Sequence, residues 1–437
     1  MRTPRIAAAA AAAIAALAAT TSDAAPVRHA QAGDWPTYHH DSARTGATAS
    51  GPPLGRARRL WSAAVDGAVY AEPLVAGGKV IVATENDSVY AFDASTGRLA
   101  WRTHLGTPVD GGSLPCGDIN PSGITGTPVV DSGRGVVYAV AFVRGFRHTL
   151  AAVNLSNGAV RWRRRVDPPH DDPRVHQQRA ALALASGRVY VAYGGLFGDC
   201  GRYHGWVVGA SAARPRRRLV SFRVPAHRRA GIWAPSGPAV DGHGNLYVTT
   251  GNGDSSSFDF GNAVIRLSPR LRRVGFFAPR NAASLNGSDT DLGSVGPLLL
   301  PGGRAFAIGK SGIGYLLRTA HLGRIGHAVA SRHICGAAFG GLAASGGNIY
   351  VACTDGTFAV RVAGLGVLWQ GPGSTSPPIV AGPGVWVIDR GTLEQLDASN
   401  GRARFSAPIG STATFATPSA SGGIVFAAGG GRVYAFG

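Results

Sequence analysis

A short polar turn between two apolar, strand-like pieces recurs along the chain, and it constrains the fold more than any other feature. It occurs in Val89–Trp101 (VYAFDASTGRLAW), Val153–Trp162 (VNLSNGAVRW) and Leu396–Phe405 (LDASNGRARF). In each copy an Asp or Asn side chain can bond its own backbone two residues on, and a Gly four residues later accepts a positive φ. Such a turn joins two antiparallel strands, so the motif predicts a repeating all-β unit.

The turn belongs to a longer unit of three or four short strands. Each copy has an apolar run, a Gly turn, a strand of the Val-Tyr-Val type and a third strand that leads into the polar turn. Eight copies begin at Glu72, Thr127, Ala181, Gly237, Gly296, Gly340, Pro377 and Thr417. Their spacing of roughly forty to sixty residues is typical of propeller blades. We therefore predict an all-β fold, an eight-bladed β-propeller of four-stranded blades.

The last copy ends at Gly437 after three strands, so its blade lacks an outer strand. The segment Arg59–Val65 (RLWSAAV) resembles the outer strand that follows the opening motif. We expect it to close the ring beside the C-terminal strands, because closure removes exposed sheet edges. Loss of Arg59–Val65 should then destabilise the fold far more than loss of Gln31–Thr45. Three tryptophans of the outer strands are expected to pack between adjacent blades: Trp101, Trp162 and Trp369.

The N-terminus predicts export. MRTPR is a basic start, and the apolar run IAAAAAAAIAALAA is shorter than a membrane-spanning helix. We predict a signal peptide over residues 1–32, with cleavage after Ala30–Ala32 (AQA) or among the alanines before Pro26, and a propeller domain over residues 33–437. An uncleaved anchor is the alternative. An exported chain is extracytoplasmic, where its four cysteines can form disulfides.

The composition suits a folded β protein, and its charge invites two interpretations. Apolar residues make up 45% of the chain, with 64 Gly and 27 Pro, which excludes disorder and favours short strands and turns. The net charge of +19 is carried by arginines that are mostly scattered, apart from runs at Arg161–Arg165 and Arg214–Arg218. A solvated surface is the first interpretation. The second is an anionic cell-envelope surface, such as wall polymer or lipid headgroups; no nucleic-acid partner is predicted.

Two stretches resemble the quinoprotein-type repeat, that is, the pyrroloquinoline-quinone (PQQ) β-propeller. One is the pattern Y-A-x-D-x-x-T-G-x-x-x-W at Tyr90–Trp101, and the other is DWPTYHHDSARTG at Asp34–Gly46, which is similar to the entry segment of secreted bacterial members. The resemblance implies a bacterial protein that is secreted or held in the cell envelope. Its members include PQQ-dependent dehydrogenases and cofactor-free propellers that scaffold outer-membrane assembly, so it specifies fold more than activity.

The resemblance to the dehydrogenases implies four site residues. Trp233 matches the tryptophan beneath the quinone, and Asn252 matches an amide ligand of calcium. Asp291 matches the catalytic base, and Lys310 matches the basic residue at the quinone oxygens. In that chemistry calcium polarises the quinone, the carboxylate takes the alcohol proton and the cation stabilises negative charge. The alternative is that all four are turn and blade-packing residues.

Two departures argue against that chemistry. The family's glutamate ligand of calcium falls on Cys200, beside Asp199, and the adjacent cysteine pair that covers the quinone is absent. Such a site should hold calcium and PQQ poorly, unless Asp199, Asp171 or Asp172 substitutes. We therefore predict a propeller without a cofactor that binds a ligand or protein partner at its funnel or top loops, as a monomer. The alternative is a PQQ- and calcium-dependent alcohol or sugar dehydrogenase.

The cysteines predict two disulfides. Cys335 precedes the first strand of its blade and Cys353 ends the second, so a hairpin brings them together. Cys116 and Cys200 lie in loops of successive blades, and a bond between them would place a disulfide where the dehydrogenases carry their glutamate. One further loop gathers polar residues that could line the funnel or form a salt-bridged surface loop: His170, Asp171, Asp172, His176 and Arg179.

Overall fold

The computed structural model describes residues 1–2, 33–373 and 375–437. The predicted signal peptide therefore lies, apart from its first two residues, outside the described part of the chain. In the described residues the strands form eight antiparallel sheets of four main strands each, which confirms the all-β, eight-bladed prediction. Inner strands such as β5 (Ser88–Asp93) are buried along nearly their whole length, because both faces of a blade pack against its neighbours.

The first four blades follow two N-terminal strands, β1 (Ala47–Thr48) and β2 (Arg59–Ala64). Blade 1 has β3 (Leu74–Ala76), β4 (Lys79–Ala83), β5 and β6 (Leu99–His104). Blade 2 has β7 (Val129–Asp131), β8 (Val136–Val143), β9 (Arg147–Asn154) and β10 (Val160–Arg165). The short β11 (His176–Gln177) precedes blade 3, which has β12 (Ala183–Ala185), β13 (Arg188–Gly195), β14 (Trp206–Ser211) and β15 (Val220–Arg223). Blade 4 has β16 (Ala239–Val240), β17 (Leu246–Thr249), β18 (Val264–Leu267) and β19 (Arg273–Ala278).

The second half of the chain repeats the pattern. Blade 5 has β20 (Leu298–Leu300), β21 (Arg304–Ala307), β22 (Ile313–Arg318) and β24 (Ala330–His333), while β23 (Arg324–Ile325) pairs with β19 of blade 4. Blade 6 has β25 (Ala338–Ser345), β26 (Asn348–Cys353), β27 (Gly356–Arg361) and β28 (Val367–Gly371). Blade 7 has β29 (Ile379–Ala381), β30 (Gly384–Asp389), β31 (Thr392–Asp397) and β32 (Ala403–Pro408). Blade 8 has β33 (Ser419–Ser421), β34 (Ile424–Gly429) and β35 (Arg432–Phe436). Helix is confined to α1 (Ala282–Gly287) and short 3₁₀ turns at Gly111–Ser113, Pro173–Val175 and Leu292–Ser294 in the described residues.

The ring closes as predicted. Strand β2 pairs antiparallel with β35, from Arg59 opposite Phe436 to Ala64 opposite Arg432. The N-terminal strand thus supplies the outer strand that the last copy of the repeat lacks. Closure gives blade 8 four strands, the same number as in the other blades.

The repeated turn and the tryptophan work as one contact between neighbouring blades. The indole N–H of Trp101 donates to the carbonyl of Leu155 in the turn of the next blade at 3.0 Å, and Trp369 does the same to Ala398. A Cβ on the turn glycines Gly158 and Gly401 would lie 2.7 and 2.5 Å from these indole rings. Glycine is therefore required twice over, for its positive φ and for the close approach of the ring.

Trp162 differs from the other two tryptophans because the facing turn of blade 3 lacks the glycine motif. Trp162 is half-buried against the cluster that joins blades 2 and 3. Its neighbour Tyr138 instead donates from its hydroxyl to the carbonyl of Ala212 at 3.0 Å. The predicted packing between blades is present, with another donor.

Residues 34–48, here called the plug, lie in the central channel and contact every blade. The chain enters beside Gly77, whose N–H donates to Asp34, and leaves beside Gly382, whose N–H donates to Thr48. Both glycines lie in the turn after the innermost strand, so the plug closes that end of the channel. From blade 1 to blade 8, hydrogen bonds join Trp35 to Val75, Pro36 to Val130, Arg44 to Leu182, Ser42 to Val240, Ala43 to Leu299, Thr45 to Ala344, Gly46 to Val380 and Tyr38 to Thr417.

Trp35, His39 and Arg44 of the plug are buried, and all their polar side-chain atoms except Nε2 of His39 have hydrogen-bond partners among the described residues. The indole N–H of Trp35 and the backbone N–H of His39 each donate at 2.8 Å to the buried carboxylate of Glu72. The Arg44 guanidinium donates to backbone carbonyls of two blades and to the plug itself. The expectation that loss of Gln31–Thr45 destabilises the fold far less than loss of Arg59–Val65 rested on counting strand edges alone. These contacts give the plug a share in stability that strand edges do not count, and the comparison of the two truncations stays a prediction.

None of the helices in the described residues is long and apolar enough to span a bilayer.

Candidate functional site

The loops at the channel end opposite the plug surround a cavity of about 510 Å³. These are the connections between blades and the second hairpin turn of each blade. All four residues that the sequence singled out line the cavity: Trp233, Asn252, Asp291 and Lys310. They come from an interblade loop, the turn after β17, the segment before β20 and the turn after β21. The structure therefore brings the predicted constellation together; the roles of its members stay predictions. We call this end the funnel.

Lys310 and two aspartates form the charged centre of the cavity wall. The ammonium Nζ lies 2.6 Å from Oδ2 of Asp291 and 3.0 Å from Oδ1 of Asp289. Burial raises the pKa of Asp291, and Lys310 partly offsets that effect. Burial alone would lower the pKa of Lys310, but the two carboxylates raise it. The ammonium also lies 5.9 Å from the ring centroid of Trp233, so a cation and an aromatic face border the same space.

Asn252 is held by hydrogen bonds on every side. Its backbone N–H donates to Asp291 at 2.6 Å, and its side-chain amide donates to Asp289 at 2.9 Å. Its side-chain oxygen accepts from the amide of buried Asn262 at 3.0 Å. The oxygen that would face a metal is thus engaged within the protein.

Two phenylalanines that the sequence analysis missed complete the aromatic wall. Phe415 lies 6.4 Å from Trp233 between ring centroids and stacks on Phe339 at 5.6 Å. The guanidinium carbon of Arg179 lies 4.8 Å from the Phe415 centroid. Phe415 has a φ of 62°, a conformation that is strained for an aromatic residue and that concentrates at functional positions. No local pattern marks Phe339 or Phe415, since Phe339 lies at the start of β25 in blade 6 and Phe415 lies in the loop between β32 and β33.

Arg179 itself was part of the predicted polar loop, and the structure divides that loop in two. Arg179 lines the cavity, donates to the carbonyl of Thr414 at 2.8 Å, and leaves its buried Nε–H without a partner among the described residues. Asp171 instead accepts from His204 at 3.0 Å and from the Trp206 indole at 2.8 Å, with His176 at 3.4 Å. These contacts lower the pKa of Asp171 although burial opposes them.

The remaining residues of the loop stay on the surface. Asp172 forms a bidentate ion pair with exposed Arg174, and His170 is exposed. Neither Asp171 nor Asp172 lines the cavity, so the structure gives no support to either as a substitute ligand.

Both predicted disulfides are present. Cys116 is bonded to Cys200 and Cys335 to Cys353, with Cα separations of 6.1 and 6.3 Å. Asp199, beside the first disulfide, lines the cavity and accepts from the Tyr203 hydroxyl at 2.5 Å. Among the described residues, one set of three side chains has metal-ligating atoms close enough together, and two of these are the bonded sulfurs of Cys335 and Cys353.

Blade 1 contributes two buried acids near the same end. Burial raises the pKa of Glu85 to about 7 and that of Asp87 to about 9. The backbone N–H of Gly123 donates to Glu85 at 2.7 Å. One oxygen of Glu85 and both oxygens of Asp87 have no hydrogen-bond partner among the described residues.

Comparison with known proteins places this geometry among relatives. A sequence model of a protein family, described as outer membrane protein assembly factor BamB, matches residues 56–195. No curated protein matches the chain in sequence. Two quinohemoprotein alcohol dehydrogenases share the fold. The enzyme of Pseudomonas putida HK5 aligns at TM-score 0.73 and 15% identity, and that of Comamonas testosteroni at TM-score 0.71 and 16% identity. Each alignment covers 92% of this chain and 80% of the dehydrogenase chain. BamB from Moraxella catarrhalis aligns at TM-score 0.60 and 14% identity, over 87% of this chain and 99% of that one.

The chain has the eight-bladed propeller fold, and residues 56–195 match the assembly-factor family model. At these identities the solved structures establish the fold alone, and the fold is common to dehydrogenases and to an assembly factor. The activity of this propeller must therefore be argued from its funnel.

The funnel residues do not fit a calcium ion. Cys200, which the sequence analysis assigned to the glutamate position, is bonded to Cys116. A disulfide sulfur carries no negative charge that could bind a hard cation. The oxygen of Asn252 accepts from Asn262, and an ammonium already lies between Asp289 and Asp291. Trp233, Asp291 and Lys310, for which the resemblance predicted an aromatic floor, a base and a cation, lie together in the cavity, and those roles stay predictions.

Proposed function

We propose that this PQQ-repeat propeller is a binding module that holds a small ligand in its funnel and has no dehydrogenase activity. One observation carries the proposal: Cys200, at the position of the calcium glutamate, is bonded to Cys116. The cavity of about 510 Å³ lies in the range of small-molecule sites, and it combines aromatic walls with a few polar groups. Flat protein docking at the funnel would use less of that concave surface.

The charges of the cavity favour a ligand of low net charge. Two of the three cations that line it have carboxylate neighbours: Lys310 lies between Asp289 and Asp291, and Arg229 lies 3.9 Å from Asp199. Little positive charge therefore remains for a polyanion. The unpartnered Nε–H of Arg179 calls for a hydrogen-bond acceptor on the ligand, and Trp233 and Phe415 call for an apolar face.

A second candidate is a PQQ- and calcium-dependent alcohol or sugar dehydrogenase. The convergence of Trp233, Asp291 and Lys310 in one cavity favours it. In that case the quinone would supply the hydride acceptor, and Asp291, whose pKa is raised by burial, would hold the proton taken from the substrate hydroxyl.

One assay separates the candidates. The purified protein is incubated with PQQ and Ca²⁺, and dye reduction is followed with a panel of alcohols and sugars. We expect no turnover above that of D291N, the matched isosteric control. Turnover in the wild type that D291N abolishes would overturn the binding-module proposal. Under that proposal a thermal-shift screen of small polar compounds should find ligands that stabilise the wild type and not F415A.

We also propose that the protein acts outside the cytoplasm as a monomer. The predicted signal peptide and the two disulfides support this placement, because disulfides persist in oxidising compartments. Mass spectrometry of protein secreted from the native host would test it, and a mature N-terminus upstream of residue 20 would contradict it.

A further inference from the structure

The two arginine runs of the sequence meet on the outer rim of blades 2 and 3. The guanidinium of Arg164 in β10 donates to the backbone carbonyls of Pro215 and Arg217 in the turn between β14 and β15. Arg161 donates to the carbonyls of Arg134 and Gly135 in the first turn of blade 2. Hydrogen bonds thus hold strand β10 and the arginine turn side by side.

We define the arginine patch as five side chains on this rim: Arg161, Arg214, Arg216, Arg217 and Arg218. All five are exposed. Within the described part of the chain none of them forms an ion pair, whereas nearby Arg134 and Arg165 are paired with Asp131 and Asp167. Five guanidinium groups without counter-charges over one strand and one turn produce a strongly positive surface.

The patch lies at the plugged end of the propeller. Antiparallel strands alternate direction, so the first and third turns of every blade share one end. The first turn of blade 1, at Gly77, contacts the plug, and the arginine turn is the third turn of blade 3. The funnel opens at the opposite end, so a surface that covers the patch leaves the cavity accessible.

We propose that the arginine patch docks the propeller on an anionic lipid bilayer. The patch is convex, because its side chains project from an outermost strand and a turn. A flat bilayer can supply a laterally mobile phosphate to each projecting guanidinium, whereas a polymer chain is held best in a groove. Each arginine at an anionic surface raises partitioning about fivefold. The inference does not depend on what the funnel binds.

Vesicle sedimentation tests the proposal with residues 33–437, which contain the whole described propeller and lack the apolar leader. We expect binding to vesicles of phosphatidylglycerol and phosphatidylcholine, no binding to phosphatidylcholine alone, and release as salt shortens the screening length. The variant R214Q/R216Q/R217Q/R218Q should partition at least about a hundredfold more weakly. Circular dichroism and thermal melting establish that it folds.

The matched control removes the same charge from the far side of the ring. R318Q/R332Q/R361Q/R402Q changes four exposed arginines of blades 5, 6 and 7 that form no ion pair within the described residues. This control should keep most of the wild-type binding. Equal losses of vesicle binding in the two variants would overturn the proposal, because the binding would then depend on the total positive charge and not on the patch. If the patch binds soluble polyphosphate and the protein does not bind vesicles, the bilayer proposal is wrong and the partner is an anionic polymer.

Discussion

The two ends of the central channel are built on opposite principles. At one end the hydrogen bonds of the plug reach all eight blades, and Nε2 of His39 is its one buried side-chain nitrogen without a partner among the described residues. At the other end the Nε–H of Arg179 is buried without a partner among the described residues. An unpaired buried polar group costs about 1–3 kcal/mol. The plug thus links all eight blades at the closed end, whereas at the open end the Nε–H of Arg179 lies in the cavity wall, where a bound ligand could accept from it.

The two disulfides also distinguish the ends of the channel. Both lie at the funnel, where no plug links the blades. Cys116–Cys200 joins an interblade loop to a turn 84 residues further on, so it ties blades 1 and 2 to blade 3. Covalent bonds at the open end replace the hydrogen bonds that the plug provides at the closed end.

The largest expected effect comes from breaking the closed end. W35A should destabilise the protein by about 3–5 kcal/mol, the usual cost of removing a fully buried tryptophan, and it leaves the buried Glu72 carboxylate short of a donor. The matched change at the funnel, W233A, removes a half-buried ring and should cost clearly less. Urea denaturation of both variants measures the difference. Equal losses would mean that the plug is no more integral than the funnel wall.

Removing Cys116–Cys200 should have the next largest effect and act locally. The chain-entropy model gives a loop of this size about 4.5 kcal/mol, which is an upper value because retained structure in the unfolded chain reduces it. Hydrogen exchange of C116S/C200S should rise around residues 112–120 and 196–204. Exchange of the plug amides should stay at the wild-type rate in the same sample. Faster exchange throughout the plug would show that the two ends are not separately stabilised.

The sequence predicted the repeating parts of this molecule better than the unique ones. The Asp-x-x-x-Gly turns, the closing strand at Arg59 and both disulfides follow from local patterns that recur or pair. The convergence of Trp233 and Lys310 came through resemblance to a family. The sequence analysis predicted neither the position of the plug in the channel nor that of Phe415 in the cavity wall. Their partners lie in every blade or across the ring, and no local spacing encodes such contacts.

Asp87 makes the open end sensitive to pH. Burial raises its pKa to about 9, well above the value of about 3.9 for an unfolded aspartate, so the folded state favours the protonated acid. Stability from this group is complete below the unfolded pKa and is lost as pH rises through the folded one. D87N, which cannot ionise, should therefore gain stability over wild type by about 4 kcal/mol between pH 5 and pH 8, at about 1.4 kcal/mol for each pH unit.

The pH profile of the melting temperature measures this gain. Glu85, with a pKa of about 7, titrates in the same window, so E85Q/D87N should flatten the profile further. His39 in the plug serves as the contrasting group, because burial lowers its pKa to about 3 and its effect is confined to acid. A difference between D87N and wild type that stays constant with pH would show that Asp87 is already ionised in the folded protein.

The smallest expected effect is also the one that bears most directly on the funnel's chemistry. Lys310 and Asp291 are only partly shielded from solvent on the lysine side, so their coupling should be about 1 kcal/mol, below that of a fully buried pair. A double-mutant cycle of K310M, D291N and the double variant measures it by urea denaturation. K310M alone should be the least stable, because it leaves Asp291 buried without the cation that lowers its pKa. The same cycle with D289N, whose side chain is 77% exposed, should give a smaller coupling. If the K310M and D291N effects simply add, the 2.6 Å pair contributes nothing to stability, and Lys310 is then free to turn toward a ligand.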